Sequence, residues 1–190
     1  MATRIEEYLT RLDRFSGGAE PRFFPVDPPP EGAHKITTII YQDLPDHGFL
    51  TALTYGLSLA DHPEWTLGRP ELCISVRSSD ERWGHAIGYL ASTLIHACPF
   101  GYGDTINFGE PIATDTTMTA FVVFAPAVLD RADYMNVLDA PPGADPADVV
   151  NIAGMYPIYD SERHFIHAEG LERFWQLGWD PYDPSRPAVV

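Results

Sequence analysis

Apolar residues recur along the chain with two different periods, and the period changes from one segment to the next. Near the N-terminus, Ile5, Leu9 and Leu12 lie four and three residues apart, which predicts an amphipathic helix. Gly17 is a stop signal for this helix. Residues 25–33 contain four prolines and predict an irregular connector, because proline interrupts both helices and central strands.

Strand-like patterns dominate the middle of the chain. Residues 71–77 alternate strictly, with Leu72, Ile74 and Val76 directed to one side. Other β-branched or apolar runs predict strands at 35–42, 49–56, 104–108, 118–125 and 151–159. The run 118–125 is apolar on both faces, so we expect it at the centre of a sheet.

The clearest helix pattern occupies residues 78–98. Residues 78–81 form a capping-box pattern, and an apolar stripe runs from Trp83 to Cys98. Pro99 and the glycines that follow it are expected to end this helix.

The last predicted strand is followed by a second helical pattern. Asp160 or Ser161 is expected to cap this helix, because short polar side chains accept hydrogen bonds from its first amides. Gly170 interrupts the pattern, which predicts a break and a separate short helix at 171–177.

The order of these elements favours an α+β fold in which a mixed β-sheet packs against helices as an α/β sandwich. We predict an N-terminal helix and Pro-rich connector at 1–34, a domain at 35–178 and an irregular Pro-rich tail at 179–190. Residues 126–148 show little periodicity, which is typical of a functional or mobile loop.

The charge of the chain is strongly unbalanced. Its 190 residues include 12 Lys and Arg against 27 Asp and Glu, a formal net charge of −15. Such a surface repels nucleic acid and anionic membranes and attracts basic partners, so we predict neither nucleic acid nor membrane as a partner. An acidic surface is equally consistent with solubility alone.

The hydrophobicity, the N-terminus and the cysteine content of the sequence predict a cytoplasmic protein. No apolar run approaches the length of a membrane helix, and the charged N-terminus does not resemble a secretory signal. Cys73 and Cys98 are the two cysteines, which we interpret as reduced thiols without a disulfide framework.

Candidate catalytic residues are few. His164 and His167 are three residues apart and close to Glu162, so on one helix face they could bind a metal ion. Without a third fixed ligand, an exposed histidine pair is the commoner arrangement. We predict no catalytic residue, metal or cofactor, and keep a small metal-dependent hydrolase using these three residues as the alternative.

Two other features have structural explanations. The motif GYGD at 101–104 follows a helix and precedes a strand, so it predicts a glycine turn instead of a phosphate loop. Cys98 ends a helix and Cys73 lies within a strand, and neither position activates a thiolate.

Several segments, taken in order, resemble the Suppressor of fused domain family. They are TYGLS (54–58), RPELCISVR (69–77), a Trp-bearing helix, GYGDTINFGEPI (101–112) and NIAGMYPIYDSERHFIHAEGLERFWQLG (151–178). The resemblance covers residues 35–178 and implies a mixed α/β sandwich without enzymatic activity. It also implies recognition of protein partners, in animal members by strand addition of a bound peptide.

The resemblance suggests a function hypothesis. Single-domain bacterial relatives resemble immunity proteins, so we interpret the chain as a non-enzymatic domain that sequesters a protein partner, with a basic toxin as the expected partner. The alternative within the binding class is a housekeeping regulatory domain, homodimeric through an exposed strand edge; the sequence leaves the oligomeric state open.

The resemblance also places a candidate site, since loop 59–68 of the family lies close to the peptide-binding region. The predicted partner-binding residues are acidic or aromatic: Asp43, Asp46, Asp61, Glu64 and Trp65. Trp65 equally fits a core residue at the end of the sheet. Tyr55, Glu71 and the Gly103-Asp104 pair are interpreted as structural.

Overall fold

The computed structural model describes residues 3–27 and 35–190, and within them a seven-stranded mixed sheet in the order β1-β2-β3-β4-β7-β6-β5. The strands are β1 (Arg22–Pro25), β2 (Thr37–Gln42), β3 (Leu50–Tyr55), β4 (Arg69–Val76), β5 (Thr105–Asn107), β6 (Ala120–Phe124) and β7 (Val150–Ile158). Strands β4 and β7 run parallel, and the other neighbouring pairs run antiparallel.

In the described ranges, five helices pack on this sheet: α1 (Arg4–Ser16), α2 (Arg82–Thr93), α3 (Arg131–Tyr134), α4 (Asp160–Glu169) and α5 (Leu171–Trp175). The predicted α+β fold with a mixed sheet is therefore confirmed. Most of the predicted connector, residues 28–33, lies outside the described residues. In the part of the chain that the structure describes, no helix is long and apolar enough to cross a membrane.

The helices cover both faces of the sheet. On one face α2 buries Trp83 and Ile87 against a core that includes Ile74 and Phe121. On the other face α1 packs through Tyr8 and Leu12 on the strands from β2 to β4 and the start of β7. Helices α4 and α5 cover the neighbouring strands β6 and β7 on that second face. This arrangement, with helices on both faces of one sheet, is the predicted α/β sandwich.

The predicted end of α1 at Gly17 is confirmed, and both ends of the helix are capped. The Thr3 side chain accepts a hydrogen bond from the Glu6 amide, and the Glu6 carboxylate accepts one from the Thr3 amide. Gly17 ends the helix with a φ of 64°, a conformation that glycine adopts without a steric penalty.

Two predicted helix starts are wrong in detail. Helix α2 has no capping box from residues 78–81: the Asp80 carboxylate accepts from the Arg82 amide, and the helix ends at Thr93 instead of Cys98. Helix α4 begins after Tyr159, whose amide donates to the Glu162 carboxylate at 2.9 Å. In both helices, the acceptor is a side chain two or three residues away from the amide that it binds. It is not the residue that the sequence pattern designated as the cap.

Two strand predictions also need correction. Strand β6 lies next to the edge strand β5, not at the centre, although both of its faces are buried: Phe121 packs on Phe108 on one face, and α4 covers the other. Strand β1 was not expected, because it is short and carries no alternation. It pairs with β2 at the other edge of the sheet, where Pro25 is tolerated.

Residues 126–148 and the C-terminal tail are packed segments despite their irregular backbone. The first contains α3 and a short 3-10 turn at Pro146–Asp148, and it buries Leu129 and Val137 in the core beside α1. The tail has no helix or strand, as predicted, and it buries Trp179 and Arg186. The predicted break at Gly170 separates α4 from α5.

Candidate functional site

The parallel pairing of β4 with β7 creates a groove at one end of the sheet. Arg69 and Val150, the first residues of the two strands, are paired, so the segments that lead into them lie side by side. A third segment, 99–104, closes the remaining side. Together with the strand starts, these segments line a groove of about 360 Å³, called here the β4/β7 groove.

Glu71 anchors the loop that forms the first wall, residues 56–68. Its fully buried carboxylate accepts hydrogen bonds from the amides of Gly56 and Ser58, both at 2.9 Å, and from the Thr54 hydroxyl at 2.7 Å. Burial raises the pKa of Glu71, and these hydrogen bonds offset only part of that effect. The interpretation of Glu71 as structural is confirmed.

Gly56 allows the chain to turn sharply where this loop begins. Its φ is 119°, and a Cβ atom at this position would lie 2.3 Å from the Lys35 carbonyl oxygen. Only glycine combines this backbone conformation with such a close approach. The TYGLS stretch therefore fixes the direction in which the loop leaves β3.

Trp65 joins the first wall to the third. Its indole N–H donates to the Pro99 carbonyl oxygen at 2.8 Å, and the His62 ring lies 5.4 Å from its ring centroid. The side chain is buried and belongs to the core that α2 covers. Of the two interpretations of Trp65, the structure places it in the core, with one edge lining the groove.

The GYGD segment forms a tight turn at the far side of the groove. The Asp104 carboxylate accepts from the Gly101 amide at 2.7 Å, and the Asp104 amide donates to the Gly101 carbonyl oxygen at 3.0 Å. The turn leads into the edge strand β5, as predicted from the order of helix, glycines and strand.

The Asn151 side chain joins the first wall, loop 56–68, to loop 126–148, which forms the second wall. Its amide nitrogen donates to the Leu67 carbonyl oxygen at 3.3 Å, and its amide oxygen accepts from the Asn136 amide at 2.9 Å. Gly68 fits here because a Cβ atom would lie 2.5 Å from the Asn151 amide nitrogen. One side chain on β7 thus sets the spacing of loops 56–68 and 126–148.

The rim of the groove is apolar and exposed. Leu67 is 87% exposed, Tyr102 53% and Met135 37%, unusually high values for large apolar side chains that lie together. The charged residues in the lining are Glu64 and Asp104, both carboxylates. The groove is therefore an apolar depression with negative charge at its edge.

The structure brings some of the predicted site residues together and separates the others. Glu64 and Trp65 line the groove, and Asp61 lies on the same loop, where it forms an ion pair with Arg69. Asp43 and Asp46 lie in the turn at the opposite end of β2 and β3, so the six residues of β3 separate them from loop 56–68. The expectation that they extend the same acidic face is wrong.

The three residues of the hydrolase alternative do not converge. The Glu162 carboxylate is fully buried and bonded to the Arg186 guanidinium, whereas His164 contacts the Asp160 carbonyl oxygen and His167 contacts the Thr105 hydroxyl. Within the described ranges, no three His, Cys, Asp or Glu side chains are arranged to hold a metal ion.

The two thiols lie in environments that keep them protonated. Burial raises the pKa of Cys73 to about 12 and also raises the pKa of Cys98. Because the thiolate is the reactive species, neither cysteine is an activated nucleophile. The prediction that neither thiol is activated is confirmed, but Cys98 lies beyond the end of α2 at Thr93, so burial and not a helix end accounts for its raised pKa.

Sequence patterns missed the groove residues Leu67, Tyr102, Met135 and Asn151. Their contact depends on the pairing of β4 with β7, two strands separated by more than 70 residues that no local periodicity connects. For Leu67, Tyr102 and Met135, the available signal was the presence of large apolar residues in segments that have no helical or strand period.

Comparison with known proteins agrees with this architecture. A family model described as Suppressor of fused protein (SUFU) matches residues 32–187. The chain belongs to the Suppressor of fused family. A sequence search of curated proteins found no significant match to this SUFU-family chain.

Solved structures share the SUFU fold at low sequence identity. A SUFU homolog from Neisseria gonorrhoeae is 19% identical, with a TM-score of 0.71, over 97% of this chain and 95% of the homolog. Drosophila Suppressor of Fused is 11% identical, with a TM-score of 0.65, over 95% of this chain and 50% of that chain. A chain of the Sufu-Fu complex crystal structure is 10% identical, with a TM-score of 0.67, over 95% and 90% of the two chains.

Proposed function

We propose that this SUFU-family chain is a non-enzymatic protein-binding domain that holds a segment of a basic protein partner in the β4/β7 groove. Family membership supports a binding role, and a chain of similar fold forms part of the Sufu-Fu complex. The observation that carries the proposal is the exposed apolar rim of Leu67, Tyr102 and Met135 around a preformed groove.

The apolar rim supplies affinity in this proposal. Exposed apolar patches bordered by polar residues are typical of protein-binding sites, because their burial removes apolar surface from water. The wall contacts made by Trp65 and Asn151 hold the groove open before binding. A preformed groove loses little conformational entropy when a partner segment enters it.

Negative charge supplies the preference for a basic partner. Glu64 and Asp104 border the groove, and loop 126–148 on the same side carries five aspartates but a single arginine, Arg131. With a net charge of −15, the chain attracts basic proteins over distances of about one Debye length.

We further propose that the partner is a basic toxin, for which this chain is the immunity protein. Toxins that cleave nucleic acid need cationic surfaces to bind phosphate groups, which makes them complementary to this chain. Inhibition would follow from covering the toxin, without any chemistry by this chain. Association would be fast at low ionic strength because the opposite charges steer the encounter.

The proposal is tested by capture from the native cells. The tagged chain is used to isolate partners at about 0.1 M salt, and the complex is then washed at about 1 M salt, which shortens the Debye length from about 10 Å to about 3 Å. We expect one basic protein that Leu67→Asp or Glu64→Lys fails to retain. Glu110→Lys, the same charge change at the opposite end of the sheet, is the control.

The toxin part has a separate readout. Expression of the captured protein alone should stop growth, and co-expression with this chain should restore it, whereas co-expression with Leu67→Asp should not. A partner retained equally by wild type and by both groove variants would overturn the groove as the binding site. A captured protein that is harmless alone would overturn the immunity role only.

A further inference from the structure

A second cavity adjoins the β4/β7 groove on the side of loop 126–148. It measures about 400 Å³ and its walls are aromatic: Phe124, Tyr134, Tyr156 and Trp175. Asp130 and Arg131 contribute the charged groups of the lining. We call it the aromatic cavity.

The walls of the aromatic cavity are fixed from behind. The Tyr156 hydroxyl donates to the Ala125 carbonyl oxygen at 2.7 Å and accepts from the Ala127 amide at 2.8 Å. Trp175 stacks on the buried Trp179, with ring centroids 4.8 Å apart and planes 15° apart. These contacts leave the cavity formed in the unbound protein, as is usual for binding sites.

The two cavities share one wall. Tyr134 lines the aromatic cavity and the next residue, Met135, lines the groove. Tyr102 of the groove and Phe124 of the aromatic cavity have ring centroids 5.2 Å apart. Tyr134 and Arg131 both lie close enough to Tyr102 to influence the pKa of its hydroxyl, which burial raises. The exposed apolar surface is therefore continuous from Leu67 to Trp175.

The charges differ at the two ends of this surface. The groove end carries Glu64 and Asp104 and no cation in its lining. The other end carries both Asp130 and Arg131, and the exposed Arg131 makes no ion pair with any residue the structure describes. Because Arg131 is not paired with Asp130 or with another described carboxylate, its guanidinium beside aromatic walls is available for a carboxylate on a ligand.

We propose that the groove and the aromatic cavity form one docking track for a single extended segment of the protein partner. The segment places an apolar residue next to a basic one at the groove, and an aromatic residue next to an acidic one at Arg131. This inference rests on the proposed function, since it names the chemistry of the segment bound at that site. Because the two ends of the docking track carry different groups, they fix the direction in which the segment lies.

The inference is tested with a phage-displayed library of random linear dodecapeptides selected on the full chain. We expect an enriched family of peptides with a basic–apolar pair at one end and an aromatic–acidic pair at the other. A synthetic peptide of the consensus should bind Arg131→Glu at least about tenfold more weakly than wild type, because attraction is replaced by repulsion. Arg82→Glu, at the opposite end of the sheet, should bind within about twofold of wild type.

A direct contact is distinguished from an indirect effect by nuclear magnetic resonance. The indole N–H signal of Trp175, assigned with Trp175→Phe, should shift when the full peptide is added. It should stay unchanged with a truncated peptide that lacks the aromatic–acidic half. Arg131→Gln, which removes the charge without reversing it, should give an intermediate affinity.

The outcomes separate the two proposals. If the enriched peptides lose affinity for Glu64→Lys but not for Arg131→Glu, the groove binds and the extended track is overturned. If neither variant changes affinity, or no peptide is enriched above background, both the track and the groove are overturned.

Discussion

The Glu162 carboxylate and the Arg186 guanidinium form a bidentate ion pair that solvent does not reach. The two contacts measure 2.6 and 2.7 Å, and the side chains are 0% and 5% exposed. The Tyr159 amide donates to one carboxylate oxygen and the Val189 amide to the other. This network joins the first turn of α4 to the irregular tail.

Breaking this pair should be costly. In Glu162→Gln the guanidinium remains buried without a counter-charge, so the free energy of unfolding should fall by about 3–5 kcal/mol. Urea denaturation followed by circular dichroism measures the change. The double variant Glu162→Leu with Arg186→Met should recover part of the loss, because no charge remains buried while the Tyr159 and Val189 amides lose their acceptor.

An exposed ion pair at the end of α4 provides the control. Glu169 and Arg173 are bonded across the α4–α5 junction, with side chains 40% and 65% exposed. Glu169→Gln should cost less than about 1 kcal/mol, because solvent screens an exposed pair. Equal losses of unfolding free energy in Glu162→Gln and Glu169→Gln would show that breaking the buried pair costs no more than breaking an exposed one.

The buried Glu71 should make stability depend on pH. Burial raises its pKa above the ordinary value of 4.5, so the folded chain binds this proton more tightly than the unfolded chain. The resulting stability is complete below about pH 4.5 and is lost as the pH rises through the folded-state pKa. Relative to wild type, Glu71→Gln should therefore become more stable as the pH rises above 4.5.

The measurement is the difference in unfolding free energy between wild type and Glu71→Gln at several pH values from about 4 to 8. Taking the difference removes the titration of all other groups. A pH-independent difference for Glu71→Gln would contradict the raised pKa.

The turn at Gly56 should not accept a side chain. Gly56→Ala combines a strained backbone with a collision against the Lys35 carbonyl oxygen, and it should cost more than about 3 kcal/mol. Gly143→Ala has a comparable positive φ but open space around the new Cβ atom, so it should cost about 1–2 kcal/mol. Thermal or urea unfolding compares them, and equal costs would place the whole effect in the backbone.

Removing the two side-chain hydrogen bonds of Asn151 should loosen the loops that line the groove. Asn151→Ala leaves the Asn136 amide and the Leu67 carbonyl oxygen without their partner, and it should cost about 1–3 kcal/mol. Hydrogen exchange should quicken at Asn136 and in loop 56–68 while the β2–β3 pair stays protected. Asn107→Ala, which removes an exposed turn contact, is the control. Unchanged exchange at Asn136 would show that Asn151 does not fasten the loops.

Local patterns predicted those parts of the fold in which one segment determines its own structure. The spacing of Ile5, Leu9 and Leu12 predicted α1, and strict alternation predicted β4. Strand β1 has four residues and no alternation, so only its pairing with β2 defines it. The position of β6 depends on which strands flank it, and apolar residues on both faces do not specify that order.

The candidate site was predictable only along one loop. The acidic and aromatic residues of loop 59–68 led to Glu64 and Trp65, which line the groove. Asp43 and Asp46 were grouped with them by charge alone, although the hairpin separates the two ends of β2 and β3. The remaining groove residues come from distant segments and meet only when β7 inserts beside β4.

Parallel pairing of β4 with β7 also bears on how this architecture diversifies. The segments before these two strands enter the sheet from the same end. Neither segment belongs to the paired stretch, which runs from Arg69–Val150 to Cys73–Gly154. Insertions or deletions in either segment therefore reshape the recess and leave the ladder intact. The shape of the groove can therefore change through two loops, while the scaffold that carries them stays the same.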